Sequence, residues 1–174
     1  MVSVLRVLVV PILILLLLTR DRTASYVAAG VFAGAALTDG VDGYLARRFA
    51  SITRTGQWLD PLADKLLVSA PVLVLAAQGR FPVWAAVVIV ARELGVSGLR
   101  VWLGLRGRAM PASAAAKLKT TFQLVAITLY ILPLGPAASG VKLGLLIAAV
   151  VLTVATGADY AVRAFRPRRK ATAG

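Results

Sequence analysis

The chain contains no cysteine, no histidine and few acidic residues. Without cysteine, its 174 residues offer no disulfide, no thiol nucleophile and no zinc–thiolate site. Without histidine, the commonest general base is missing, so acid–base chemistry falls to Asp, Glu, Lys or Tyr. Seven acidic residues stand against twenty basic ones, and the formal net charge is +13.

Apolar residues dominate the composition. They make up 59% of the chain, with a mean hydropathy of +0.84, whereas a soluble domain is nearer half apolar. We expect residues 1–174 to form a single all-α, polytopic membrane domain, with a basic tail at about 163–174. A signal peptide is the competing interpretation of the first apolar run. The apolar runs predict six transmembrane helices, at about 1–18, 24–48, 56–77, 82–105, 111–134 and 142–162.

The basic residues are distributed unevenly between the expected loops. In an apolar chain, such an excess indicates anionic lipid and the positive-inside rule, and there is no soluble basic module to bind nucleic acid. The side expected to carry fewer charges holds Arg20, Arg22, Arg80 and Lys142. We therefore expect a plasma-membrane protein with both termini in the cytoplasm, on the side of Arg47, Arg48, Arg54, Arg106, Arg108, Arg163, Arg166, Arg168, Arg169 and Lys170.

Four of the seven acidic residues fall between two apolar stretches: Asp39, Asp42, Asp60 and Asp64. Spacings of three and four place the members of each pair on one helix face. Ionisable groups in a membrane are costly and usually functional. An all-oxygen carboxylate set suits magnesium or manganese, so we expect a metal site. The structural alternative is a set of ion pairs with Arg47, Arg48, Arg54 and Lys65.

The same window fills a longer pattern, D-x2-D-G-x2-A-R-x8-G-x3-D-x3-D. Its fixed positions are Asp39, Asp42, Gly43, Ala46, Arg47, Gly56, Asp60 and Asp64. This pattern closely resembles the CDP-alcohol phosphatidyltransferase signature. The family usually opens with an N-x2-T-x2-R element, of which Arg6 matches the arginine while the asparagine would fall before Met1. We therefore expect either a short member or an incomplete start.

The resemblance implies a site built on two Mg²⁺ ions, with Mn²⁺ as the alternative. Asp39, Asp42 and Asp60 would be ligands, and Asp64 would stand at the edge of the cluster and also act as general base. It further implies membrane lipids as surroundings and, by family analogy, a homodimer. The CDP site would be lined by Gly43, Ala46, Arg47 and Gly56.

Charged residues also occur in the later helices. Arg92, Glu93, Arg100, Lys117 and Lys119 lie within or beside apolar segments, where charges need partners or ligands. Snorkelling and an Arg92–Glu93 pairing with other helices would account for some of them. Lys117 and Lys119 do not share a helix face, so we expect only one to point directly into a site.

These later segments resemble the phosphatidylglycerophosphate synthase branch of the family. The matching stretches are residues 91–100 and 117–120, with Ala116 where that branch often has glycine. The resemblance implies CDP-diacylglycerol as donor and sn-glycerol 3-phosphate as acceptor. The acceptor phosphate would be held by Arg92, Arg100, Lys117 and Lys119.

Three alternatives stay open. Cardiolipin synthase and phosphatidylinositol phosphate synthase use the same chemistry with another acceptor. The sequence of residues Leu59–Lys65 also resembles that of cardiolipin synthases. A divalent-cation transporter would need carboxylates spread through the membrane depth, whereas these four cluster. A phosphate-bearing acceptor suits the basic residues of the later helices better than a neutral one.

Overall fold

The computed structural model describes the backbone of residues 2–49, 56–106 and 114–165, and side chains within 8–38, 65–106, 118–162 and at Ala164. Over these ranges the chain is helical, and no strand occurs in them. The elements are α1 (Val2–Leu18), α2 (Arg22–Phe49), α3 (Gly56–Ala77), α4 (Val83–Leu105), α5 (Ala114–Ile131), a short 3-10 turn (Pro136–Ala138) and α6 (Ser139–Phe165).

Local chemistry explains the best-defined helix ends. Gly79 has φ 71°, a left-handed conformation that side chains disfavour, and it follows the end of α3. The Gly79 N–H donates to the Ala76 carbonyl and the Arg80 N–H to the Leu75 carbonyl, the pair of bonds that closes a helix C-terminus. Pro82 is the N-cap residue of α4 and has an extended conformation. Its ring fixes φ, and it has no N–H that would be left unpaired at the start of a helix.

The helices pack as an interleaved bundle. The first helix packs against α2 and α3, the fourth against α3 and α6, and the fifth against α2, α3 and α6. Fully buried side chains fill the centre: Leu13, Leu17, Phe32, Val72, Leu75, Ile89, Ile127, Ile131 and Leu146. At the margin of this core, the rings of Phe81 and Tyr130 meet edge to face with centroids 4.8 Å apart.

Three helix connections meet at one end of the bundle. Gln78 Nε2 donates to the Leu17 carbonyl across 2.9 Å, and Arg80 donates to the Ile131 carbonyl, also across 2.9 Å. These bonds join the α1–α2, α3–α4 and α5–α6 connections. The chain passages from α2 to α3 and from α4 to α5 therefore belong to the opposite end, as an up-and-down helical topology requires.

The helical architecture agrees with expectation, and α3 has the bounds expected from the sequence. Among the described residues one segment, Pro136–Val162, is long and apolar enough to cross a membrane. Shorter apolar helical stretches cover Leu8–Leu18, Lys65–Ala77 and Leu118–Ile131. Each of these stretches begins at the first residue of its helix whose side chain the structure describes. The expected proline start of α5 and the basic tail lie outside the described residues.

Candidate functional site

The signature residues are carried by two helices. Asp39 and Asp42 lie in the second half of α2, and Asp60 and Asp64 lie in the first half of α3. Helical backbone at all four positions places each pair on a single face, as the spacing predicted. The side chains of these aspartates, and those of the predicted CDP-site residues Gly43, Ala46, Arg47 and Gly56, lie outside the described residues.

The donor chemistry of this window fits a hard divalent cation. Four carboxylates supply oxygen ligands of the kind that Mg²⁺ prefers, and no softer nitrogen or sulfur donor occurs in the chain as cysteine or histidine. The side chains of this window lie outside the described residues. Among the side chains that the structure describes, no group of three or more His, Cys, Asp or Glu residues could hold a metal ion. The residues of the window therefore fit the implied metal.

A buried carboxylate organises the next part of the site. Glu93, on α4, has a side chain only 8% exposed. It accepts hydrogen bonds from Lys65 Nζ on α3 across 2.7 Å, from Arg92 across 3.2 Å, and from Lys119 Nζ on α5. We call Glu93, Lys65, Arg92 and Lys119 the Glu93 cluster. Three cations and one anion give it a formal net charge of +2.

The cluster lies next to the signature along the chain. Lys65 directly follows Asp64 on α3, so one helical turn carries both the last signature carboxylate and a member of the cluster. Lys119 is the more buried of the two lysines, with a side chain 4% exposed against 26% for Lys65. Glu93 thus joins α3, α4 and α5 beside the predicted metal site.

A second row of polar contacts joins α4 to α6. Arg92 donates to Thr156 Oγ1 across 3.1 Å, and Arg100 donates to the Tyr160 hydroxyl, also across 3.1 Å. Gly157 packs beside the first arginine, and a β-carbon there would lie 3.4 Å from Arg92 Cγ, in van der Waals contact. The Nε–H of Arg92 is buried without an acceptor among the described residues. The two arginines, eight residues apart on α4, therefore share one helix face towards α6.

The structure brings three of the four predicted acceptor residues onto neighbouring elements. Arg92 and Lys119 meet at Glu93, and Arg100 lies two turns further along α4. The expected pairing of Arg92 and Glu93 with other helices is confirmed. The fourth residue, Lys117, has its side chain outside the described residues, so the choice between the two lysines stays a prediction.

Sequence reasoning missed three contributors. Lys65 was considered only as an ion-pair partner of the aspartates, whereas it contacts Glu93. Thr156 and Tyr160 were not singled out, although they lie four residues apart on α6 and accept hydrogen bonds from Arg92 and Arg100. Polar residues recurring on one face of an apolar helix were the available signal.

Taken together, buried charges at the junction of apolar helices form a polar site, and one described helix is long and apolar enough to cross a membrane. Residues 1–155 match the family model described as CDP-alcohol phosphatidyltransferase. The chain belongs to that family, and it is therefore an enzyme of the phosphatidyltransferase class.

Curated relatives match most of the chain. A protein of Mycobacterium tuberculosis named "Probable phosphatidylglycerophosphate synthase" is 41% identical over 167 residues, which cover 94% of this chain and 79% of the relative. A Rickettsia typhi protein named "CDP-diacylglycerol--glycerol-3-phosphate 3-phosphatidyltransferase" is 38% identical over 165 residues, covering 91% of each. A Pseudomonas fluorescens protein of the same name is 44% identical over 135 residues, covering 74% of this chain and 69% of the relative.

Proposed function

We propose that this enzyme transfers the phosphatidyl group of CDP-diacylglycerol to sn-glycerol 3-phosphate. The observation that carries the proposal is the similarity, over nearly the whole chain, to relatives named for this reaction. The acceptor hydroxyl oxygen forms a bond to the phosphorus that bears the diacylglycerol. The bond from that phosphorus to the oxygen shared with CMP breaks, and CMP leaves with the electron pair. The acceptor's proton passes to a base.

The metal-binding residues of this proposal are Asp39, Asp42 and Asp60, with Asp64 at the edge of the same set. Two Mg²⁺ ions at such a set, when bound, neutralise phosphate charge and stabilise the attacking and leaving oxygens. The supporting observation is that α2 and α3 are helical at all four positions, so each pair shares a face. Lys65, one of the four cations that the ion-pair alternative would use, pairs with Glu93 instead.

Asp64 is the proposed general base. The resemblance to the family assigns this role to Asp64, and a carboxylate base agrees with the absence of histidine from the chain. Its neighbour Lys65 belongs to the Glu93 cluster. The base would therefore lie between the metal site and the positively charged cluster that attracts the acceptor phosphate. The CDP moiety would lie along the first half of the signature, against Gly43, Ala46, Arg47 and Gly56.

The acceptor phosphate would bind at the Glu93 cluster and its extension. Glu93 holds Lys65, Arg92 and Lys119 together but neutralises only one of their three charges. A phosphate would complete that balance, and its oxygens would give the unsatisfied Arg92 Nε–H an acceptor. Arg100 and Lys117 complete the proposed set. This excess positive charge favours sn-glycerol 3-phosphate over an uncharged alcohol.

The proposed topology has six membrane-spanning helices, with both termini and the signature on the cytoplasmic side. The connections α1–α2, α3–α4 and α5–α6 meet at one end, which puts the signature passage at the other. The basic residues of the sequence favour the signature end for the cytoplasm. Soluble glycerol phosphate would reach the site from that side.

The test is CMP release from CDP-diacylglycerol by the purified full chain in detergent with Mg²⁺. Glycerol 3-phosphate, inositol phosphate and phosphatidylglycerol are offered separately, and we expect release with the first alone. Release with either other acceptor would overturn the acceptor assignment and leave the transferase chemistry standing. Release with none of the three would overturn the proposed reaction.

The base assignment has a test of its own. Asp64→Asn keeps an oxygen ligand but cannot take a proton, so turnover should fall by at least about 100-fold, the usual contribution of a general base. The matched control is Asp21→Asn, because Asp21 lies in the α1–α2 connection at the other end of the bundle. Near-normal turnover in Asp64→Asn, at saturating Mg²⁺, would refute the assignment.

A further inference from the structure

A second cationic feature lies at the end of the bundle opposite the signature. A cavity of about 450 Å³ opens where the α1–α2, α3–α4 and α5–α6 connections meet. We call it the arginine cavity. Its lining consists of Arg20, Arg22, Ser25, Gln78, Arg80, Pro133 and Leu134. The reaction proposed above uses none of these residues.

Tertiary contacts fix one arginine of the cavity in place. The Arg80 guanidinium donates to the Ile131 carbonyl across 2.9 Å and to Ser25 Oγ across 3.4 Å. The left-handed Gly79 turns the chain immediately before it, and Gln78 anchors the same turn to Leu17. Two of the five guanidinium N–H donors thus hold the side chain in place, and the remaining three belong to a preformed site rather than to a mobile surface side chain.

The second arginine is positioned by the backbone. Arg20 has φ 56°, a left-handed conformation that costs a non-glycine residue free energy. It lies in the short connection between α1 and α2, where glycine or asparagine would meet the same need with less strain.

The cavity holds cationic charge without an equal counter-charge. Burial and the nearby charge of Arg20 both lower the pKa of Arg80 from its ordinary value, which shows that like charges face each other here. The carboxylate nearest along the chain, Asp21, accepts a hydrogen bond from the Ala24 N–H across 3.0 Å and so caps α2. That hydrogen bond lowers the pKa of Asp21, which therefore stays ionised as a helix cap at the edge of the cavity.

An apolar strip of α1 leads towards this cavity. Leu8, Ile12, Leu15 and Leu18 recur at spacings of four, three and three, and all four are exposed. In a membrane-embedded helix, such a strip faces acyl chains. It ends at Leu18, two residues before Arg20. A ligand with acyl chains along the strip and an anion in the cavity would satisfy both features.

From this arrangement we propose that the arginine cavity binds the phosphate group of an anionic phospholipid, in the leaflet opposite the signature. Arg20, Arg22 and Arg80 would supply N–H donors to the phosphate oxygens, and Pro133 and Leu134 would border the headgroup. Arginine suits this role because its planar donors match phosphate oxygens in pairs. The proposal depends on membrane insertion and is independent of the reaction catalysed at the other end.

The test measures lipid binding by native mass spectrometry of the full chain in a neutral detergent. Phosphatidylglycerol and phosphatidylcholine are titrated separately against the wild type and Arg20→Gln. The matched control is Arg106→Gln, because Arg106 lies at the C-terminal end of α4, at the opposite end of the bundle, stacked on Trp102. We expect Arg20→Gln to weaken phosphatidylglycerol binding about fivefold, the effect of one surface cation on an anionic lipid. Arg106→Gln and all phosphatidylcholine titrations should change little.

Each other outcome is decisive. Equal losses in Arg20→Gln and Arg106→Gln would mean that net charge, and not the cavity, attracts the lipid. Displacement of the lipid by inorganic phosphate at similar concentration would overturn a lipid as the ligand. If Arg20→Gln unfolds at a lower temperature than the wild type, Arg22→Gln serves instead, because Arg22 is exposed and opens α2. No loss in that variant would refute the proposal.

Discussion

Replacing Glu93 by glutamine tests whether one carboxylate holds three helices together. The side chain keeps its size but loses the charge that faces Lys65, Arg92 and Lys119. Of these partners, Lys119 is the most buried, with 4% of its side chain exposed. It therefore cannot recover its hydration when the carboxylate is removed, whereas Lys65, at 26%, recovers part of it.

The expected cost follows from that difference in burial. Removing one partner of a buried ion pair leaves an uncompensated charge and costs about 3–5 kcal/mol. The exposed part of Lys65 adds at most about 1 kcal/mol, because solvent screens such pairs. Glutamine retains a carbonyl acceptor for one ammonium, so we expect Glu93→Gln to lower the free energy of unfolding by about 3 kcal/mol.

A double-mutant cycle separates this explanation from simple damage to packing. Lys119→Met removes the buried cation and keeps the length of the side chain. In the Glu93→Gln background it should cost at least about 2 kcal/mol less than in the wild type, since contacting partners are coupled. Unfolding by heat or denaturing detergent, followed by circular dichroism, measures all four proteins. Additive effects of the two substitutions would refute the cluster as a coupled unit.

Two further predictions use a helix end and the proposed acceptor site. Gly79→Ala should destabilise the fold by about 1 kcal/mol, because the φ of 71° is strained for alanine although the space is open. Gly135→Ala is its control, at a φ of −68° and also in open space, and should be near neutral; equal costs would contradict the strain argument. Lys117→Ala should raise the KM for glycerol 3-phosphate about tenfold, as expected for a lost charge-assisted bond, with little change for CDP-diacylglycerol. Equal increases for both substrates would argue against a separate acceptor pocket.

The sequence predicted the helices well because apolar runs and helix breakers act locally. The bounds of α3 agreed at both ends, and the glycine-containing turn after it was expected from residues 78–82. The membrane spans were less predictable from composition. Among the described residues, Pro136–Val162 alone is long and apolar enough to cross a membrane, and the described parts of α1, α3 and α5 form shorter apolar stretches. Family membership, rather than hydropathy, supports a membrane setting for those helices.

The site was predictable where its residues are close in sequence and less so where helices must meet. The signature spacing sufficed to place Asp39 with Asp42 and Asp60 with Asp64 on helix faces. No local pattern relates Lys65 to Glu93, which is 28 residues away, or Arg92 to Thr156, 64 residues away. Such pairs depend on which helices pack together, and an apolar helix has many compatible neighbours.

The two ends of the bundle differ in how the charges of their lysines and arginines are balanced by carboxylates. At the signature end, Glu93 is shared among three cations, and the acceptor phosphate of the proposed reaction would complete the balance. At the other end, Asp21 is committed to capping α2, and the charges of Arg20 and Arg80 face each other. Asp21 supplies one negative charge against the three arginines of the cavity, so the cavity would attract an anion from outside the chain. A membrane surface supplies such charge as lipid phosphate, so the proposed lipid site and the proposed acceptor site would be compensated by different anions.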